Sequence, residues 1–158
     1  MMKEEYSYLL IKHILGGNAF KKIEDILEEM PFEKIGLIPT GLPYSFWQVF
    51  DHIKIAQKDI LEFSINPDYK AIKWPDDYWP RHPAPESEEL WEKTKEDFFN
   101  DRVKLTSLLE SRADQLLEPF PHGDGQNLFR EALLVLEHNA YHIGQLMIIA
   151  RLFSGNKL

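Results

Sequence analysis

The chain has no cysteine among its 158 residues. That absence excludes structural disulfides, thiolate metal ligands and a cysteine nucleophile, so any thiol chemistry would need a thiol brought by a substrate. Positive charge is also scarce: 18 Lys and Arg stand against 26 Asp and Glu, a net charge of −8, with no basic run. Such a molecule repels a phosphate backbone, so nucleic acid is not an expected partner. Uninterrupted apolar runs are missing too. The segment 128–153 is broken by Arg130, Glu131, Glu137, His138 and His142, and the opening Met1-Met2-Lys3-Glu4-Glu5-Tyr6 is too polar for a signal peptide. A soluble, cytoplasmic protein with no membrane partner is the expectation. There is no alternating strand pattern of useful length, no internal repeat and no low-complexity tract, which leaves helices to build the fold.

The size and the 44% hydrophobic content suit one domain over residues 1–158. Tyr6, Leu9, Leu10, His13 and Ile14 recur at helical spacing, Gly16-Gly17 interrupts them, and Ile23, Ile26 and Leu27 resume, so the first helix is split. After a Pro- and Gly-containing loop, Ser45 and Gln48 have the form of a capping box, which starts a second helix. Its stripe of Val49, Ile53, Ala56, Ile60 and Phe63 ends near Asn66-Pro67. Residues 67–85 hold five prolines with Tyr69, Trp74, Tyr78 and Trp79 and no periodicity, the mark of a long structured loop of the kind that carries function. Ser87 caps a third helix running to about Leu117, and a fourth runs from about Gln126 to Phe153, with Asp124 as a capping residue and Gly155 as a stop signal. The expectation is an all-α four-helix bundle, in which sites are built from side chains on facing helices.

The most telling residues are His138 and His142, four apart on the fourth helix and therefore on one face. With six histidines in the chain, such a pair arises by chance about one time in five, so a third ligand has to be argued for. A wheel at about 100° per residue puts the pair with Leu134, Val135, Gln145 and Ile149, the face that turns inward. On the second helix His52 falls within the inward arc, whereas Asp51, Lys54 and Lys58 fall outside it. A lone inward histidine is more often a hydrogen-bonded core residue than a ligand. Three together are costly without a shared partner, because an unpaired buried polar group costs about 1–3 kcal/mol. His52, His138 and His142 are therefore the candidate ligands of a divalent ion, zinc or nickel first, with a position left open for substrate.

Asn139 stands where the zinc-protease pattern His-Glu-x-x-His needs its glutamate, which disfavours a metalloprotease. Tyr141, Gln145 and Trp47 are candidates to line a substrate pocket, and His13, on the apolar face of the first helix, is a candidate additional ligand or pocket residue. For Trp47, Trp74, Trp79 and Trp91 the ordinary role is packing.

The segment Trp47-Gln48-Val49-Phe50-Asp51-His52-Ile53, followed far downstream by His138-Asn139-Ala140-Tyr141-His142-Ile143-Gly144-Gln145, resembles the DinB-like/YfiT-like superfamily. The resemblance extends to Gly41-Leu42-Pro43-Tyr44-Ser45, to the stretch 55–63 and to Pro121-His122-Gly123-Asp124-Gly125-Gln126, and so spans essentially the whole chain. It implies a four-helix bundle, often a homodimer, with a divalent metal on His52, His138 and His142. Members include transferases that use low-molecular-weight thiols, a thiol-dependent isomerase and proteins called metal-dependent hydrolases. No inward carboxylate stands out as a base, which tilts the reading toward a thiol transferase acting on a small-molecule electrophile; a hydrolase using metal-bound water and a non-enzymatic binding module in a stress response are the alternatives.

Overall fold

The computed structural model describes residues 2–154. Its helices are α1 (Met2–Ile14), α2 (Ile23–Glu29), α3 (Phe46–Ile65), α4 (Glu88–Ser111) and α5 (Leu128–Ser154), with a 3₁₀ turn at Phe32–Lys34. The split of the first helix follows from Gly16 and Gly17, whose φ values of 77° and 79° lie in the left-handed region that glycine alone enters freely. Ser45 and Gln48 form the anticipated capping box: Ser45 Oγ accepts the Gln48 N–H at 3.1 Å while Gln48 Oε1 accepts the Ser45 N–H at 3.2 Å.

Helix packing runs from α3 to both α4 and α5, and from α1 to both α4 and α5, so the four long helices close into a bundle. Its interior falls into two clusters. One gathers α2, the first half of α3 and the second half of α5 around Phe46, Phe50 and Phe98, where Phe50 meets Trp91 and Phe98 edge to face at 5.2 and 5.4 Å. Burying each such ring contributes at most about 3 kcal/mol. The other joins Leu10 and Ile14 of α1 to Leu61, Leu105, Leu109, Leu128 and Val135.

Four features differ from the sequence expectation. Helix α4 ends at Ser111 rather than near Leu117, because the chain turns at Arg112 and drops Leu116 into the core, where its carbonyl accepts the Phe129 N–H at 2.9 Å. The cap of α5 is Asn127, whose Oδ1 accepts the Arg130 N–H at 2.9 Å, and not Asp124. Asp51, expected outside the inward arc, is buried at 8% exposure beside Lys54, with their charged atoms 2.7 Å apart. His13, expected on the apolar face of α1, is exposed. The stop signal assigned to Gly155 lies outside the described residues.

The long loop after α3 is strapped back along that helix. Ser45 Oγ and Gln48 Nε2 donate to the carbonyls of Pro83 and Pro80, and the hydroxyls of Tyr69 and Tyr78 both donate to the Asp59 carboxylate, at 2.7 and 2.6 Å. Gly36 permits the approach at the loop's end, since a Cβ there would sit 2.4 Å from Ala84 Cβ.

Candidate metal centre

The ladder of contacts between α3 and α5 brings His52 opposite both His138 and His142. His52 Nε2 lies 3.2 Å from His142 Nε2 and 3.0 Å from His138 Nε2, and the possible ligand atoms of the three all lie within 4.8 Å of one another. Two nitrogens bound to one zinc at about 2.0–2.1 Å with near-tetrahedral angles stand about 3.3 Å apart, so the spacing suits a shared ion. The cluster is also screened from water: His52 is 2% and His142 7% exposed.

The outer nitrogens decide what the inner ones can do. His52 Nδ1 is 2.9 Å from the carbonyl oxygen of Tyr78, which can only accept, so Nδ1 carries the proton. His142 Nδ1 is 2.7 Å from Gln145 Oε1 and is protonated for the same reason. In neutral rings both Nε2 atoms then present bare lone pairs. Two bare nitrogens at this distance repel unless a cation lies between them, and that is the donor chemistry of a divalent ion. Burial, the largest cause, holds His52, His138 and His142 below the ordinary histidine value, and for His138, which the other two imidazoles also disfavour as a cation, it brings the value to about 4. All three are therefore neutral at pH 7, the state in which imidazole ligates. His138 Nδ1 is buried without a hydrogen-bond partner, as is Oδ1 of its neighbour Asn139.

A family model described as the DinB superfamily matches residues 18–146. The chain belongs to the DinB superfamily. No curated protein and no solved structure matches it. The DinB match encloses all three histidines and Gln145, whereas His13 precedes it.

The other candidates of the sequence divide. Gln145 touches a ring of the cluster, and Tyr141, 68% exposed, places its ring 4.9 Å from that of His142. Trp47 is 4% exposed and packs in the core against Trp91, while His13 is no member of the cluster. Two loop residues border the cluster although sequence reasoning gave Tyr78 no individual role and Trp79 a packing one. Tyr78 supplies the carbonyl that orients His52, and Trp79 stacks on the His52 ring at 3.9 Å and 4°, itself covered by Tyr44 at 4.3 Å and 15°. The only signal for them was the density of aromatic residues in an aperiodic loop. Among the described residues no helix is long and apolar enough to cross a membrane.

Proposed function

We propose that this protein is a metal-dependent transferase in which His52, His138 and His142 hold one divalent ion, zinc or nickel, and a low-molecular-weight thiol is delivered to a small electrophile in the cytoplasm. The observation that carries the reading is the convergence of Nε2 atoms whose protons have been drawn to the far side of their rings by Tyr78 and Gln145. An ion held there supplies Lewis acidity, which lowers the pKa of a thiol so that the thiolate is available at neutral pH.

The protein's own groups then have defined tasks. Tyr78 and Gln145 fix the tautomer and the aim of their histidines, a role whose loss elsewhere weakens metal sites about 10–100-fold. Trp79 covers one face of His52 and keeps water from that side. Among the described residues no Asp or Glu joins the cluster, so no carboxylate is at hand to take a proton from water. That supports thiol transfer over hydrolysis: the thiol gives up its proton to solvent, the sulfur electron pair forms the new S–C bond, and the electrophile releases its leaving group with the bonding pair.

Elemental analysis of untagged protein tests the site. About one divalent ion per chain is expected, lost in His52→Ala and His142→Ala; wild-type protein free of metal under ordinary metal supply would refute it. A generic electrophile with and without low-molecular-weight thiols tests the chemistry, since turnover without any thiol would favour the hydrolase.

A further inference from the structure

The stripe that carries the histidines continues past them. On α5, Gln145 lies three residues beyond His142 and Ile149 four beyond Gln145; on α3, Val49 lies three residues before His52. These spacings keep all of them on the facing surfaces, Gln145 and Val49 about one turn along the bundle from the imidazoles and Ile149 about two. At that level the packing leaves a cleft of about 100 Å³, walled by Val49, Ile148, Ile149 and Gln145 from the helices and by Leu42, Pro43 and Tyr44 from the preceding loop.

Two links join this cleft to the histidines. Gln145 lines the cleft and accepts from His142 Nδ1 at 2.7 Å, and Tyr44 lines it and stacks on Trp79, which stacks on His52. The walls are aliphatic apart from Tyr44 and Gln145. The Gln145 oxygen is committed to His142, whereas its Nε2 has no partner among the described residues and remains a donor. A cavity of about 150 Å³ is what holds a benzene ring, so a space of 100 Å³ suits a chain of a few methylene groups better than a ring.

We propose that this cleft is the specificity pocket of the site and takes the short aliphatic chain of a substrate whose carbonyl oxygen accepts from Gln145 Nε2. The inference rests on the metal-dependent reading, and it narrows the electrophile to small aliphatic carbonyl compounds.

Primary amides of increasing length, acetamide, butyramide and hexanamide, are unreactive probes of this chemistry. Titrated into the zinc-loaded full chain and followed by amide chemical shifts, they should perturb Gln145, Ile148 and Ile149. Affinity should rise about fourfold per added methylene up to butyramide and level off by hexanamide as the cleft fills. Ile148 is 54% exposed, so Ile148→Trp can fill the cleft from its rim and should weaken butyramide at least tenfold. Leu42→Ala should move the preferred length toward hexanamide. Shifts scattered elsewhere, an affinity independent of chain length, or unchanged binding in both variants would overturn the proposal. Metal content is measured on the same samples: a chain with one ion per protein and no length-dependent binding sinks the pocket alone, while amide binding to a chain that takes up no ion sinks the metal reading and leaves the cleft as a binding site.

Discussion

Two polar tiers lie side by side between α3 and α5. In one, Gln57 Nε2 donates to the Phe98 carbonyl at 2.9 Å and Asn139 Nδ2 donates to Gln57 Oε1 at 3.1 Å, so a chain of amides ties α5 to α3 and α3 to α4. In the other, one residue along α5, three imidazoles converge, and His52 and His142 spend their outer protons on Tyr78 and Gln145 and turn bare nitrogens toward each other. Donor meets acceptor at both contacts of the amide chain, whereas in the imidazole tier the Nε2 atoms of His52 and His142 meet acceptor to acceptor. Burial is similar in both, so burial does not separate a structural polar group from one built for a ligand; the matching of donors and acceptors does.

The largest expected effect separates the tiers by ligand. With free zinc at about 1,000 times its Kd, binding should stabilise the wild-type chain by about 4 kcal/mol, a rise in Tm of about 10 °C for a chain of this size. Scanning calorimetry should show that rise abolished in His52→Ala and retained in Gln57→Leu. An equal loss in both would mean that the amides share the ligand, and the contrast between the tiers would fall.

Next comes the cost of breaking the amide tier itself. Gln57→Leu strands the Asn139 amide in a buried site and should cost about 2–3 kcal/mol in urea unfolding, with metal stoichiometry unchanged. The double variant with Asn139→Leu should cost less than the sum of the singles by about 1 kcal/mol, since the second change removes the stranded partner. Strict additivity would show that the two amides do not work as a pair.

Smaller again is an effect carried through the loop. Asp59 holds the hydroxyls of Tyr69 and Tyr78, and both phenols are pushed well above their ordinary value by burial first and then by that carboxylate. Because the Tyr78 carbonyl orients His52, Asp59→Ala should weaken metal affinity about tenfold, about 1.4 kcal/mol, in competition with a chromogenic chelator. Asp59→Asn, which keeps an oxygen acceptor, should recover part of it. Unchanged affinity in the alanine variant would show that Ser45 and Gln48 suffice to hold the loop.

The comparison also explains what could be read from the chain. His52, His138 and His142 sit on regular helices, where apolar spacing fixes the inward direction, and so their meeting was legible. Helix ends were less so: Leu116 continues the apolar spacing of α4 although the chain has already turned, and Asp124 and Asn127 offer competing caps within one short stretch. Tyr78 was hidden for a deeper reason. It acts through its main-chain carbonyl, a group every residue has, so only the path of the loop reveals it. Trp79 likewise depends on where an aperiodic segment crosses α3.

The smallest expected effect is that of pH on the metal-free protein, and it should touch one tier only. Histidine ordinarily titrates near 6.5, and His138 in the folded chain is held at about 4, by burial first and then by His142 and His52. Its folded value lies below its unfolded value. Above pH 6.5 neither state is charged at this ring and it contributes nothing; as pH falls from about 6.5 toward about 4 the unfolded chain takes up the proton first and stability declines; below about 4 the contribution levels off. His52 and His142, lowered mainly by burial, act in the same direction. Glu24 is also lowered: burial raises it, but its bond to Arg102 and neighbouring positive charge outweigh that, so it loses stability only as pH falls below its ordinary 4.5. The interval from 6.5 to 4.5 therefore reports on the imidazoles. Melting curves in chelator should slope downward across it in the wild type and in Gln57→Leu alike, because amides do not titrate, and should flatten in His138→Gln. A slope left intact by His138→Gln would place the titrating group outside the cluster and remove this distinction between the tiers.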